Sequence, residues 1–241
     1  MARRLPPPPC PEYPARGMAR TAKKTASAEA TPARPTRGGP ERILPAAFTC
    51  FSRYGYKRVS LEQIAQETGI SRAALYLHFR NKEDLFRALA RQLLEDAHAA
   101  AEVAAARPAP IEERLESILD AKFGRTFERV YDSPHAAEIL DENGRQCGDV
   151  LLDFRKRFLR VLRGAFAVAE ASGEIDLAAA GLDAGEAAEL LVDCVKGLER
   201  LGERPAGFRR RLARLVRVFV AGLGARPARM GATKPAARVR R

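Results

Sequence analysis

The sequence predicts an all-α protein, with a small helix-turn-helix unit near its start and a larger helical domain after it. Three observations lead there. Apolar residues recur at three- and four-residue steps from Ile43 to Leu223, and no segment alternates with the period of a strand. Ser60–Lys82, SLEQIAQETGISRAALYLHFRNK, reads as two short helices joined by a tight turn and leading into a third. Positive charge collects on that unit and on the chain ends.

Residues 1–40 are rich in Pro, Ala, Arg and Thr, with PPPP at 6–9, and predict an extended arm without a packed core. Met18 opens MARTAKKTA, a second credible start for the native chain. Residues 41–54, ERILPAAFTCFSRY, predict the first helix, with Ile43, Leu44, Ala47, Phe48 and Phe51 as its apolar stripe. Pro45 costs roughly 3 kcal/mol in a helix interior and little in a first turn. Gly55 ends this helix.

Ser60 suits an N-cap, and Gln63 can complete a capping box. Leu61, Ile64 and Ala65 then share one face. Gly69 suits the left-handed residue that ends a helix, and Ile70 can plug the corner. Ser71 caps the next helix, with Ala74, Leu75 and Phe79 inward. That leaves Arg72, Ala73, Tyr76, Leu77 and His78 toward the exposed side. Asn81 with Asp84 repeats the capping arrangement.

Residues 82–106 predict one long helix carrying Leu85, Leu89, Leu93 and Leu94, ending before Pro108 and Pro110. A helix from Ile111 to about Tyr131 follows. Ser133-Pro134 marks a break. Helix is expected through His135–Asp141, an interruption near Asn143-Gly144, then helix from about Asp149 to Ala171, closed by Ser172-Gly173. Ala184–Leu201 and Gly207–Leu223 complete the pattern. The expected organisation is an arm (1–40), the helix-turn-helix unit (41–82), a helical regulatory and dimerisation domain (83–223) and a basic tail (224–241).

The formal net charge is +12. Residues 1–40 carry eight basic and two acidic side chains, and residues 224–241 six basic and none acidic. Residues 41–82 hold seven against three, whereas residues 83–223 hold 21 against 25. A basic unit of limited size is the electrostatic pattern of a protein that meets a phosphate backbone. Arg209-Arg210-Arg211 reads as the solvated face of the last helix.

No stretch approaches the roughly 20 apolar residues of a membrane span, and no apolar segment follows the basic N-terminus as in a secretory signal. Cys10, Cys50, Cys147 and Cys194 are too far apart in sequence for a zinc or redox motif, which predicts reduced thiols and a cytoplasmic location. No metal, cofactor or catalytic constellation is expected, so the sequence reads as a non-enzyme. Cys147 with His135 is the one candidate pair, at an uninformative spacing.

Residues 42–89 resemble the TetR family of bacterial one-component repressors. The matching residues are Ile43-Leu44, Ala46-Ala47, Phe51, Gly55-Tyr56, Ser60, Ile64-Ala65, Gly69-Ile70-Ser71, Leu75-Tyr76, Phe79 and Asn81-Lys82-Glu83-Asp84-Leu85. The match covers about a fifth of the chain; the rest is similar in architecture only. The resemblance implies a homodimer on a near-palindromic double-stranded DNA operator, with recognition helices in successive major grooves.

In this chain that implies a recognition helix over Arg72–Phe79. Arg72 can bond guanine and Ala73 can touch a thymine methyl. Tyr76 and Lys82 match phosphate-contacting positions, and Ser60 can offer its hydroxyl or helix N-terminus to a phosphate. Ser71, Leu77 and His78 complete the expected DNA-binding set. Val59 stands where the family often has threonine, and Leu77 where polar or aromatic residues are common.

The resemblance also implies a small-molecule effector, largely apolar, bound between the later helices. Phe123, Phe127, Tyr131, His135, Cys147, Phe154 and Phe158 are the candidate lining residues, each of which also suits a plain core. The family pairs its last two helices across a dimer interface. Leu191, Cys194, Leu198, Phe208, Leu212, Leu215 and Phe219 are the candidates here, although the same stripes could complete a monomer core. The function expected is a ligand-released transcriptional repressor; the alternative is a non-specific, architectural DNA-binding protein without a ligand.

Overall fold

Every regular element of the structure, a computed structural model that describes residues 39–124, 128, 130–198 and 205–224, is helical. In chain order these are α1 (Pro40–Tyr54), α2 (Leu61–Thr68), α3 (Arg72–Tyr76), α4 (Lys82–Ala105), α5 (Ile111–Leu119), α6 (Ala136–Gln146), α7 (Gly148–Ala171), α8 (Ala184–Leu198) and α9 (Pro205–Gly222). Residues 1–38 and 225–241, and with them almost all of the expected arm and tail, lie outside the described residues.

The local signals act where the sequence puts them. Ser60 accepts from Gln63 N at 3.3 Å while Gln63 Oε1 accepts from Ser60 N at 2.8 Å, a complete capping box. Ser71 Oγ accepts from Ala74 N, and Asn81 Oδ1 from Asp84 N at 2.7 Å. Gly69 turns the chain at φ 68°, ψ 22°, and the Ile70 N–H reaches back to Ala65 O.

Pro45 lies inside α1, because the helix already starts at Pro40. Its missing N–H would have met the carbonyl of Glu41, an exposed residue that water can serve. The long helix expected after Ile111 is regular α only to Leu119, where a π-type turn, Asp120–Gly124, takes over. The break expected at Asn143-Gly144 falls instead at Cys147. An Asn-Gly pair lowers helix propensity by only about 1.5 kcal/mol, and Ile139 and Cys147, buried on either side of it, outweigh that.

Two apolar cores result. Ile43, Ala47 and Phe51 of α1, Ile64 and Ala65 of α2 and Leu75 of α3 close on Leu85, Phe86 and Leu89 of α4, and Val130, Ile139 and Cys147 join them. Further along α4, Leu94, Ala97, Ala101 and Ala104 belong to a second core with α5, α7, α8 and α9. One helix thus serves two cores, and α6 seats the larger domain against α1 and α4.

Candidate nucleic-acid interface

The inward face of α3 is satisfied by Leu75, fully buried, and Phe79 just beyond the helix. Its outward side follows from the same periodicity: Arg72, Ala73, Tyr76, Leu77 and His78 are all exposed. Leu77 is 85% exposed and Tyr76 42%, a large apolar outlay for a helix of five residues. The helix is shorter than the expected Arg72–Phe79 span, because Leu77 is its C-cap and the chain turns there so that Phe79 can re-enter the core.

Arg72 is held in place before any ligand arrives. Its Nη2 lies 2.8 Å from Glu62 Oε1 on α2, and its guanidinium carbon sits 5.5 Å over the Tyr76 ring. Hydrogen bonding to Tyr76 and the charge of Glu62 raise the guanidinium pKa further above its ordinary value. The Glu62 carboxyl is pushed down, first by the backbone N–H it accepts at the start of α2 and then by Arg72. Both groups are in water, so the pair orients more than it stabilises.

Ser60 and Ser71 present two helix N-termini beside this face, with their hydroxyls engaged in the caps described above. Lys82 has a different setting. Its ammonium donates to the carbonyls of Tyr56 (2.9 Å), Val59 (3.0 Å) and Lys57 (3.4 Å) and lies 4.5 Å from the centre of the Tyr56 ring. All three of its donors are thus directed at the α1–α2 connection. Burial depresses its pKa, against the pull of Glu138 and Glu142.

Sequence reasoning missed three residues here. Glu62 positions Arg72, and its signal was only an acidic residue in the first turn of α2. Lys57 and Arg58, exposed just before Ser60, add charge beside the α2 N-terminus.

The connection is also held from the larger domain. Glu138 on α6 accepts from Lys57 N at 2.6 Å, and Ser133 Oγ donates to Ser52 O at 2.7 Å. His135 lies 3.8 Å from the Glu138 carboxylate. Gly55, at φ 82°, leaves room for this grip: a Cβ there would stand 2.5 Å from Glu138 Oε2.

The candidate effector residues do not come together in one site. Phe154 and Phe158 stack at 5.5 Å, Phe123 meets Phe158 edge-on at 6.2 Å, and the Lys122 ammonium stands 4.6–5.4 Å from all three ring centres. Tyr131 packs against both cores. Cys147 is sealed in the smaller core, where burial pushes its thiol up, and His135 lies on the grip at Gly55. Phe127 lies outside the described residues. A cavity of about 460 Å³ opens between α4, α5 and α9, lined by Arg107, Glu116, Asp120 and Arg209 among others, and none of the six described candidates borders it. Among the described residues no group of His, Cys, Asp or Glu is arranged to hold a metal ion.

On α8 and α9, Leu191, Phe208 and Leu212 are buried in the protomer's own core. Cys194, Leu198, Leu215 and Phe219 keep partial exposure, and Leu190 and Val218 are the large apolar side chains these helices leave exposed. No described helix is long and apolar enough to cross a membrane.

A family model described as bacterial regulatory proteins, tetR family, matches residues 43–89. The HTH-type transcriptional regulator TtgR of Pseudomonas putida is 30% identical over 145 residues, 56% of this chain and 69% of that protein. The chain belongs to the TetR family. An HTH-type transcriptional repressor of Mycobacterium tuberculosis is 45% identical over 51 residues, which is 21% of this chain. Against that relative the match spans only 27% of its length, and against the repressor AcnR of Corynebacterium glutamicum 32%. The TetR-type fold extends well beyond the matched segment. The fatty acid degradation regulator FadR of Bacillus halodurans superposes over 78% of this chain and 97% of its own, with a TM-score of 0.59 at 16% identity.

Proposed function

We propose that this TetR-family protein is a sequence-specific DNA-binding transcriptional regulator, a homodimeric repressor released from its operator by a small-molecule ligand, acting in the cytoplasm. The observation that carries the reading is the exposed side of α3, where Arg72, Ala73, Tyr76 and Leu77 stand outward from a buried Leu75 and Phe79. Residues of that kind at a recognition helix read base edges and phosphates in the major groove. Support also comes from the names of relatives: AcnR is called a repressor, and SmeT of Stenotrophomonas maltophilia the repressor of a multidrug efflux pump.

In this reading Arg72 and Ala73 meet bases. Tyr76, His78, Ser60, Ser71, Lys57 and Arg58 meet the backbone. Lys82 acts by fixing the α1–α2 connection. A second copy packs on the outer faces of α8 and α9. The effector enters the larger domain near Phe123, Phe154 and Phe158. It shifts α4, which belongs to both cores, and lowers operator affinity by a coupling of about 1–3 kcal/mol.

Fluorescence anisotropy with labelled DNA from upstream of the gene, against random DNA of equal length and salt, tests the reading. A specific regulator prefers its site by about 10³-fold or more. Equal affinity for both would replace this reading with architectural binding. A monomeric mass by light scattering at micromolar concentration would remove the dimer.

A further inference from the structure

The cavity of about 460 Å³ between α4, α5 and α9 is walled by apolar and charged side chains, and its charges do not all pair off. Four charged groups border it, two of each sign: Arg107, Glu116, Asp120 and Arg209. Arg209 and Asp120 satisfy each other at 2.8 Å, and Arg209 also donates to Glu128. Glu116 and Arg107 are left over. Glu116, partly buried on α5, has neither a hydrogen bond nor an ion pair among the described residues. Arg217, whose charge acts on it, is paired instead with Glu112 at 3.3 Å. Burial, and then the charge of Glu112, push the Glu116 carboxyl up, as befits a carboxylate short of a counter-charge. Arg107, exposed just past α4, reaches Ser117 Oγ only at 3.5 Å. Arg107 and Glu116 border one cavity without forming an ion pair with each other.

That charge pattern selects the occupant. An anion would meet the opposing charge of Glu116, and a cation that of Arg107. A molecule carrying both signs gives each side chain a partner and leaves neither opposed. The volume lies within the roughly 300–1,000 Å³ of small-molecule sites and is about three times the ~150 Å³ that holds benzene. Ala100, Val103 and Leu212 supply an apolar wall for the uncharged part.

We propose that this cavity binds a zwitterion, a free α-amino acid with a large apolar side chain, its ammonium on Glu116 and its carboxylate on Arg107. A guanidinium fork matches a carboxylate, and an ammonium brings the donors that Glu116 lacks. The apolar side chain lies along Ala100, Val103 and Leu212. The occupant touches α4, α5 and α9 together. The site goes beyond the effector reading, because the Phe123, Phe154 and Phe158 cluster does not border it, and neither operator binding nor dimerisation is needed for it.

The test uses the full chain without DNA and three probes in calorimetric titration and saturation-transfer NMR. These are L-phenylalanine, 2-phenylethylamine, which lacks the carboxylate, and 3-phenylpropanoate, which lacks the ammonium. Phenylalanine is expected to bind in the sub-millimolar range, and each analogue about tenfold more weakly or worse. Glu116→Gln is expected to weaken phenylalanine about tenfold and leave 3-phenylpropanoate no weaker. Arg107→Gln is expected to weaken phenylalanine similarly and leave 2-phenylethylamine no weaker. Ala213→Phe, which fills the cavity from α9, is expected to abolish phenylalanine binding. Circular dichroism confirms that each variant is folded, and Ala100→Phe fills the cavity from α4 should Ala213→Phe fail to fold. Either analogue binding as tightly as phenylalanine, phenylalanine binding unchanged in Glu116→Gln or Arg107→Gln, binding that survives cavity filling, or no phenylalanine binding up to about 20 mM would each overturn the proposal.

Discussion

Arg87 in the second turn of α4 and Asp149 in the first turn of α7 form two parallel hydrogen bonds, Nη1 to Oδ1 at 2.9 Å and Nη2 to Oδ2 at 2.7 Å. The same guanidinium donates to the Gln146 carbonyl where α6 ends. Eight residues along α4, Glu95 makes a second two-bond pair with Arg157 of α7, at 2.6 and 2.9 Å. The helix shared by both cores is thus clamped to the larger domain at two levels.

The first clamp has a pH signature. Arg87 holds the Asp149 carboxyl down at about 2, from an ordinary 3.8. A carboxyl lowered by folding contributes stability that is present above its unfolded value and is lost as pH falls from about 4 toward 2. Carboxyl-detected NMR titration should find Asp149 near 2 in the wild type and close to its ordinary value in Arg87→Met. An Asp149 that still titrates near 2 in the variant would show that the N-terminus of α7, not Arg87, sets it.

Lys82→Met leaves the carbonyls of Tyr56, Lys57 and Val59 without their shared donor. The expected loss is about 1–3 kcal/mol in urea unfolding. A lysine needed only for a phosphate would leave the unfolding midpoint where it was.

Gly69→Ala puts a side chain on a left-handed residue. No atom lies within 4 Å of the added Cβ, so the cost is conformational alone, about 1–2 kcal/mol. Gly69→Asn should lose less, since asparagine tolerates this region. Equal stability of the alanine variant in chemical denaturation would mean that the turn re-forms without the left-handed residue.

Arg72→Ala removes an exposed side chain, so the unfolding midpoint should move by no more than about 0.5 kcal/mol. Operator affinity should fall by about 1–3 kcal/mol, with relaxed preference at one base pair. A uniform loss across operator and random DNA would assign Arg72 to the phosphates.

The helix-turn-helix was legible in the sequence because its signals are local. A capping box at Ser60–Gln63, a left-handed glycine at 69 and a cap at Ser71 each act within a few residues, and each is found with the expected bonds. The exposed side of α3 was equally legible, since periodicity places Leu75 and Phe79 inward. The hydrogen bonds of Lys82 to the α1–α2 connection were not, because their acceptors lie more than 20 residues earlier in the chain.

The later helices mark the same limit. An apolar stripe looks alike whether it faces its own core or a second copy, and only packing buries Leu191, Phe208 and Leu212 while leaving Leu190 and Val218 outside. The sequence by itself determined the all-α class, the helix-turn-helix and its outward residues, through backbone preferences that act over one or two turns. Only the tertiary structure decided that α4 belongs to two cores and that α6 grips the α1–α2 connection through Glu138. Those depend on which distant segments meet, and a single chain read in order does not contain that distance.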